Sequence, residues 1–281
     1  MSDNTPEHLR ALAETLAIEA AAFVRRRRAE VFGEAADAAR DGAVQAKSTA
    51  TDPVTVVDTE TEALLRDRLA TERPGDPILG EEGGGPRADS GGAVCWVLDP
   101  IDGTVNFVYG IPAYAVSVGA QVDGVSVAGA VADVVSGDVY SAARGGGAHV
   151  LRDGRRRALR CRPVTELSMA LVGTGFSYAA SRRAEQAALL AQLLPLVRDV
   201  RRVGSASLDL CMVADGRLDA HYEHGLHVWD WAAAALVVTE AGGLVRLPAD
   251  EDGAVLVAAA PGVFSPLVEA LDGVGGLRAL D

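Results

Sequence analysis

Residues 93–104 read A-V-C-W-V-L-D-P-I-D-G-T. The first six are apolar and Asp99-Pro100 halts them, the pattern of a short buried strand that ends in a turn. Two carboxylates, Asp99 and Asp102, leave that turn together. Pro100 fixes the backbone, and Gly103 carries no side chain to obstruct a ligand. Asp99, Asp102 and an intervening carbonyl offer hard oxygens to a cation. If a helical turn begins here, the N–H groups of Gly103 and Thr104 can also bind an anion. Taken alone, such a D-P-x-D reads more simply as two aspartates capping turns.

Working outward, strands follow in quick succession. Tyr114 to Val122 and Val125 to Val134 are joined by Asp123-Gly124, a two-residue hairpin signal, and Ser136-Gly137-Asp138 and Asp153-Gly154 mark further reversals. The expectation is an antiparallel meander covered on one side by two earlier helices. The first helix spans Thr5 to Phe32, with Thr5 as cap, Pro6 in the first turn, and Leu9, Leu12, Leu16, Phe23 and Val24 as an apolar stripe. Pro53 to Val57 reads as extended. Thr59 with Glu62 forms a candidate capping box for a second helix through Leu69, closed by Pro74 and Gly75.

Beyond Arg162 the rhythm alternates: strand Ala170 to Thr174, helix Ser181 to Leu194, helix Ser205 to Ala214, strand Leu218 to Tyr222, helix Asp230 to Ala241. The fold class predicted is therefore α/β in the layered, α+β sense, with an antiparallel N-terminal half (1–162) and an α/β C-terminal half (163–281). The triple glycines Gly83 to Gly85 and Gly145 to Gly147 precede no helix, so neither is a phosphate-cradling or dinucleotide loop.

With 281 residues and 49% hydrophobic content, the chain can bury a sizeable core, and its 23% charged residues exclude a disordered or collagen-like class. No apolar run reaches the ~18 residues of a membrane helix, and the polar start Met1 to Arg10 has no basic stretch followed by an apolar one, so a soluble, non-exported protein is expected. Cys95, Cys161 and Cys211 are an odd, scattered set without C-x-x-C, which fits a reducing compartment. A cytoplasmic protein is expected. The 26 basic against 39 acidic residues give a net charge of −13, which repels nucleic acid and any other anion. The runs Arg25 to Arg28, Arg155 to Arg157 and Arg201 to Arg202 read as solvated faces. Lys47 is the single lysine against 25 arginines, which invites a functional question.

Further carboxylates surround the turn in sequence. Glu81 and Glu82 follow Gly80 just before the buried strand, Asp58 ends the extended segment, and Asp230 begins a helix between Trp229 and Trp231. Each alone is readable as capping or solvation. Together, the stretches K-S-T-A-T-D-P-V-T-V-V-D (47–58), Gly80-Glu81-Glu82, W-V-L-D-P-I-D-G-T-V-N (96–106), Gly204-Ser205-Ala206, and Trp229-Asp230 ahead of Thr239-Glu240-Ala241-Gly242-Gly243 resemble, in order, the inositol monophosphatase family of magnesium-dependent phosphatases and its bacterial SuhB-like branch.

That resemblance implies an αβαβα sandwich and hydrolysis of myo-inositol 1-phosphate by metal-activated water. It implies that Glu81, Asp99, Asp102, Asp230 and the carbonyl of Ile101 bind two or three Mg2+ ions. Thr104 with Asp58 would orient the water, with Glu81 also catalytic, while the amides of Gly103 and Thr104 hold phosphate. Ala206, Glu223 and Asp230 would line the alcohol side, and Lys47 would lie near the site. Carboxylates that first gather divalent cations reconcile an acidic protein with an anionic ester. The resemblance further implies lithium inhibition and a homodimer, with no membrane or direct nucleic-acid partner. Relatives also act on histidinol phosphate, fructose 1,6-bisphosphate or phosphoadenosine phosphate, and some associate with transcription machinery. One departure stands out: Ala234 occupies a position where the family usually has glycine.

Two rival enzyme readings are weaker. Haloacid-dehalogenase-like phosphatases use D-x-D, one residue shorter than the spacing here, with aspartate as nucleophile. A zinc site from His221, His224 and His227 needs the three imidazoles to face one way, and Gly225 interrupts the segment.

Overall fold

The computed structural model describes residues 3–33, 44–47, 53–86, 91–249 and 252–281. A long helix α1 (Pro6–Phe32) opens the chain, followed by a small antiparallel pair, β1 (Val44–Ala46) and β2 (Pro53–Thr55), and by helix α2 (Val56–Glu72). Seven strands then run side by side in chain order: β3 (Ile78–Gly80), β4 (Val94–Asp102), β5 (Ala115–Val122), β6 (Val125–Asp133), β7 (Val139–Ala143), β8 (Gly147–Arg152) and β9 (Arg155–Ala158). The short helix α3 (Thr104–Tyr109) lies between β4 and β5. All neighbours pair antiparallel except β3, which runs parallel to β4.

The second half contributes β10 (Leu171–Thr174), α4 (Ala180–Leu193), β11 (Asp199–Arg201), α5 (Ala206–Ala214), β12 (Ala220–His224), α6 (Val228–Glu240), β13 (Leu244–Arg246), β14 (Val255–Ala259) and α7 (Pro261–Gly273). Its five strands form a mixed sheet in the order β11-β10-β12-β14-β13, parallel from β11 to β12 and antiparallel beyond.

Three buried clusters define the layers. Leu9, Leu16 and Val24 of α1 and Leu65 and Leu69 of α2 pack on Trp96, Val116, Val118 and Ala130 of the first sheet. On its other face, Leu210 and Val213 of α5 and Ala233, Val237 and Val238 of α6 meet Val131, Tyr140 and Ala142, and on their far side Leu256 and Ala258. Leu193 of α4 and Val263, Leu267 and Leu271 of α7 close the outer face of the second sheet. The result is an αβαβα sandwich.

Most elements predicted from sequence are present, with informative differences. Asp123 (φ 51°) and Gly124 (φ 76°) make the β5–β6 turn, whose two positive φ angles match a primed hairpin turn. Thr5 stands at the N-cap of α1, yet its side chain accepts no capping bond. The capping box of α2 is not Thr59 with Glu62: helix formation starts earlier, at Val56, because Thr55 accepts from the amides of Val57 and Asp58 while Asp58 accepts from the Thr55 amide. Strand β4 does not stop at Asp99-Pro100 but continues to Asp102 through a register shift. A proline is tolerated there because an irregular ladder demands no N–H from it. Strand β12 and helix α6 both sit two residues from their expected starts. The C-terminal β13, β14 and α7 were not anticipated, since a run such as Val255–Ala259 carries no alternation to separate strand from helix.

Candidate active site

The end of β4 carries the centre of the site. Asp99 is 1% exposed and Asp102 8%, and with half-buried Asp230 they bring carboxylate oxygens within 4.8 Å of one another. Two different elements deliver them: the β4 irregularity sets Asp99 and Asp102, and the first turn of α6 sets Asp230. Asp230 does not begin α6. It is the third residue of the helix and accepts from the His227 amide at 2.6 Å, a cap that fixes one carboxylate oxygen.

Asp102 is anchored to the start of α5. Its Oδ2 accepts from the Ser205 hydroxyl at 2.7 Å, the Ser207 amide at 2.7 Å and the Ser207 hydroxyl, while Oδ1 receives the Ala206 amide at 3.3 Å. Asp99 is different. Its Oδ1 is buried with no hydrogen-bond partner. Burial pushes its pKa well above the usual carboxylate range, and the neighbouring Glu81, Asp102 and Asp230 charges push it further; Asp230 rises for the same reasons. Such a cluster stores repulsion that a hard cation relieves.

Glu81 is half-buried and held by Lys47, whose Nζ lies 2.7 Å from Glu81 Oε1 and 2.5 Å from Glu82 Oε1. Burial raises its pKa to about 7 even though Lys47 opposes the rise. The lone lysine is therefore a counter-ion inside the acidic pocket. Beneath this loop sits a residue the sequence reading gave another job. Glu62, 2% exposed, accepts the Glu82 and Gly83 amides at 2.8 Å each and pairs with Arg66. A Cβ on Gly80 or Gly83 would overlap the Glu62 carboxylate, so the glycines of this loop make room for the clamp. Asp58 and Glu62 are one helical turn apart on the same face of α2, the spacing that could have revealed the clamp.

Thr104 opens α3. Its hydroxyl lies 3.1 Å from Asp58 Oδ1 and 3.0 Å from the Ile101 carbonyl, so its one proton has two acceptors. Asp58 is fully buried, and desolvation raises its pKa to about 6 against the pull of its bonds to Thr55. Gly103 takes φ 95°, and a Cβ there would come within 3.0 Å of the Ala113 and Gly204 carbonyls, so the tight turn at the head of α3 requires glycine.

Lys47, Glu81, Asp99, Asp102, Thr104 and Asp230 line one cavity of about 720 Å³, together with Gly175, Arg182, Ala206, Asp209, Glu223 and His227, while Asp58 and Glu62 lie behind its wall. The histidine triplet does not share a metal. His221 is buried between Asp209 and Glu223, His224 bonds the Gly276 carbonyl at 2.9 Å, and His227 stacks on Trp229. Among the described residues, the trio Asp99, Asp102 and Asp230 is the one group of His, Cys, Asp or Glu placed to share an ion.

Comparison with known proteins agrees with this geometry. The chain belongs to the inositol monophosphatase family, whose model matches residues 5–272. It is 67% identical to an inositol-1-monophosphatase of Mycobacterium leprae over 99% of this chain and 98% of that one. Its structure superposes on that of Mycobacterium tuberculosis SuhB with a TM-score of 0.84, at 60% identity, covering 98% and 100% of the two chains. It is also 43% identical to the Nus factor SuhB of Pseudomonas aeruginosa, over 70% of this chain and 72% of that one. The family is metal-dependent, and the buried carboxylate cluster fits that chemistry.

Proposed function

We infer that this protein is an inositol-1-monophosphatase that hydrolyses myo-inositol 1-phosphate to inositol and phosphate. The observation that carries the reading is the meeting of Asp99, Asp102 and Asp230 within 4.8 Å, one of their oxygens buried and unpartnered, in a chain so close to a named inositol-1-monophosphatase.

Glu81, Asp99, Asp102, Asp230 and the Ile101 carbonyl would hold two or three Mg2+ ions. Bound there, magnesium would supply positive charge that draws the ester in, activates water and neutralises the leaving oxygen. The protein's own groups do the rest. Thr104, with its hydroxyl on Asp58, orients the attacking water and passes its proton to that buried carboxylate. The Gly103 and Thr104 amides hold the phosphate, and Ala206, Glu223 and Asp230 border its alcohol. Lys47 balances Glu81 and Glu82 while the pocket is otherwise acidic.

The halves 1–162 and 163–281 divide this labour, the first carrying the chemistry and the second closing the pocket through Asp230 and Glu223. No helix among the described residues is long and apolar enough to cross a membrane; a cytoplasmic site of action is proposed on the family membership. Lithium inhibition and a homodimer follow from the family resemblance. A transcription-associated role is a second reading, favoured by the Nus factor relative and tested by pull-down with RNA polymerase.

The deciding experiment is a phosphate-release panel in magnesium with inositol 1-phosphate, histidinol phosphate, fructose 1,6-bisphosphate and phosphoadenosine phosphate. Inositol 1-phosphate should be turned over best, without a trappable phosphoenzyme. Preference for another ester would move the substrate assignment. A hydroxylamine-labile phosphoenzyme would overturn the attack by water.

A further inference from the structure

His221 stands on β12 between two carboxylates, its Nε2 3.3 Å from Glu223 Oε2 and its Nδ1 4.0 Å from Asp209 Oδ2. The imidazole is fully buried and Asp209 is 1% exposed. Neither ring nitrogen has a hydrogen bond of good geometry, nor does Asp209 Oδ1. Burying unpaired polar groups side by side is unfavourable, so their grouping here calls for a use. Strand β10 and the residue that follows it are shaped around them. A Cβ on Gly173 would come 2.9 Å from His221 Nδ1 and 3.1 Å from Asp209 Oδ1, and one on Gly175 would overlap the Glu223 carboxylate.

We propose that His221, backed by Asp209, is a positioning residue that holds the Glu223 carboxylate towards the alcohol side of the cavity and thereby sets selectivity for polyol esters. This rests on the placement of Glu223 beside the alcohol given above. Glu223 repels the Asp102 and Asp230 charges across the pocket, and left alone its flexible side chain would swing to solvent. An N–H donor behind it opposes that swing.

The donor survives changes of protonation. The charged groups facing His221 are Asp209 on α5, Asp102 on β4 and Glu223 on its own strand, all acidic, while β10 presents glycine and β14 presents Ala258 in register. They outweigh burial and favour the protonated ring. Burial in turn lifts Asp209 to about 7. The proton shared by Asp209 and His221 can rest on either one: an imidazolium between two carboxylates, or a neutral ring receiving a bond from protonated Asp209. Both leave Nε2–H facing Glu223.

The test is steady-state kinetics of His221→Phe, His221→Gln, Asp209→Asn, Glu223→Gln and the pair His221→Phe/Glu223→Gln, on inositol 1-phosphate and on p-nitrophenyl phosphate, which has no hydroxyl to recognise. His221→Phe should raise KM for inositol 1-phosphate about tenfold, the range of a lost hydrogen bond to a charged group, while kcat and the KM for the aryl ester change by less than about twofold. His221→Gln, which keeps a donor, should recover most of the loss, and the pair should be no worse than Glu223→Gln alone. Equal KM increases on both esters, or additive effects in the pair, would make His221 a packing residue and overturn the proposal. If Glu223→Gln raises KM but neither His221→Phe nor Asp209→Asn does, the polyol reading stands and the positioning role falls. If Glu223→Gln has no effect, both fall. Should His221→Phe fail to fold, Asp209→Asn decides, with an expected rise of about threefold on the polyol ester only.

Discussion

The two sides of the pocket solve opposite electrostatic problems. At the end of β4, Asp99, Asp102 and Asp230 crowd together with nothing cationic among them, and Asp99 Oδ1 has no partner at all. Across the pocket, Glu223 of β12 and Asp209 of α5 are carboxylates too, but they enclose an imidazole. One cluster is completed only from outside, and the other is completed by the chain. Under the roles proposed above, the difference separates chemistry from recognition: the charge deficit would take an ion for the reaction, whereas the carboxylates around an imidazole would offer a fixed shape to a neutral part of the substrate.

The most severe way to break the contrast is to remove charge from the unbalanced side. Asp99→Asn should lower turnover by at least about a hundredfold, since a bound metal's electrostatic contribution runs to several kcal/mol. The metal-free variant should melt no lower than the wild type, because a buried, repelled charge is gone. Wild-type rates in Asp99→Asn would remove the metal assignment; a collapsed melting curve would make Asp99 structural.

A second break uses pH. Asp58 has its pKa raised to about 6 from an ordinary 3.8, so the folded protein holds this proton more tightly than the unfolded chain does. Its stabilising contribution is therefore complete below pH 3.8 and is lost as pH rises through about 6. Proton acceptance from water needs the opposite form. Turnover should fall as pH drops through about 6, and Asp58→Asn should abolish that limb together with most activity. An acid limb that persists in Asp58→Asn would assign it to another group.

A subtler change leaves every charge at the metal cluster in place. Glu62→Gln weakens the clamp under the Gly80-Glu81-Glu82 loop and should reduce magnesium affinity about fivefold, the loss expected when a charged acceptor of amide bonds is neutralised. Magnesium titrations of activity check it. Unchanged affinity would show that Lys47 alone positions Glu81.

The smallest effect is expected at Ala234, buried within α6. Ala234→Gly should lower the melting temperature by about 2 to 4 °C, from roughly 1 kcal/mol of helix propensity plus the loss of a packed methyl, and leave magnesium affinity within a few-fold. A strong gain in affinity without loss of stability would show the methyl pressing on Asp230.

The same contrast explains what could be read from the sequence. Asp99, Asp102, Gly103 and Thr104 are contiguous, so a strand-to-turn transition announces them, and Asp123-Gly124 fixes the neighbouring hairpin for the same local reason. The pairing of Asp209 with Glu223 through His221 joins helix α5 to strand β12, and no local periodicity shows that the helix turns its aspartate towards the strand. Glu62 was visible but ambiguous, because a glutamate three residues after a threonine looks like a cap until the loop it clamps is in view. The five-stranded sheet was only half legible, since β14 joins β12 antiparallel through pairs from His224↔Val255 to Ala220↔Ala259, a distant pairing that alternation alone does not encode.

The contact between α6 and the first sheet has a consequence for tolerance to mutation. Gly119 of β5 and Gly129 of β6 face the alanines of α6: a Cβ on Gly129 would come 2.7 Å from the Ala233 Cα, and one on Gly119 3.0 Å from the Ala232 Cβ. Backbone cannot yield as a long side chain can, so even a single methyl at Gly129 has to lift the helix. Asp230 rides on the first turn of that helix, while Asp99 and Asp102 ride on the sheet. The thickness of a layer with no reactive group in it is thus the gauge that sets the third carboxylate against the other two, and glycine-to-alanine changes far from any substrate would be read out as lost affinity for the ion.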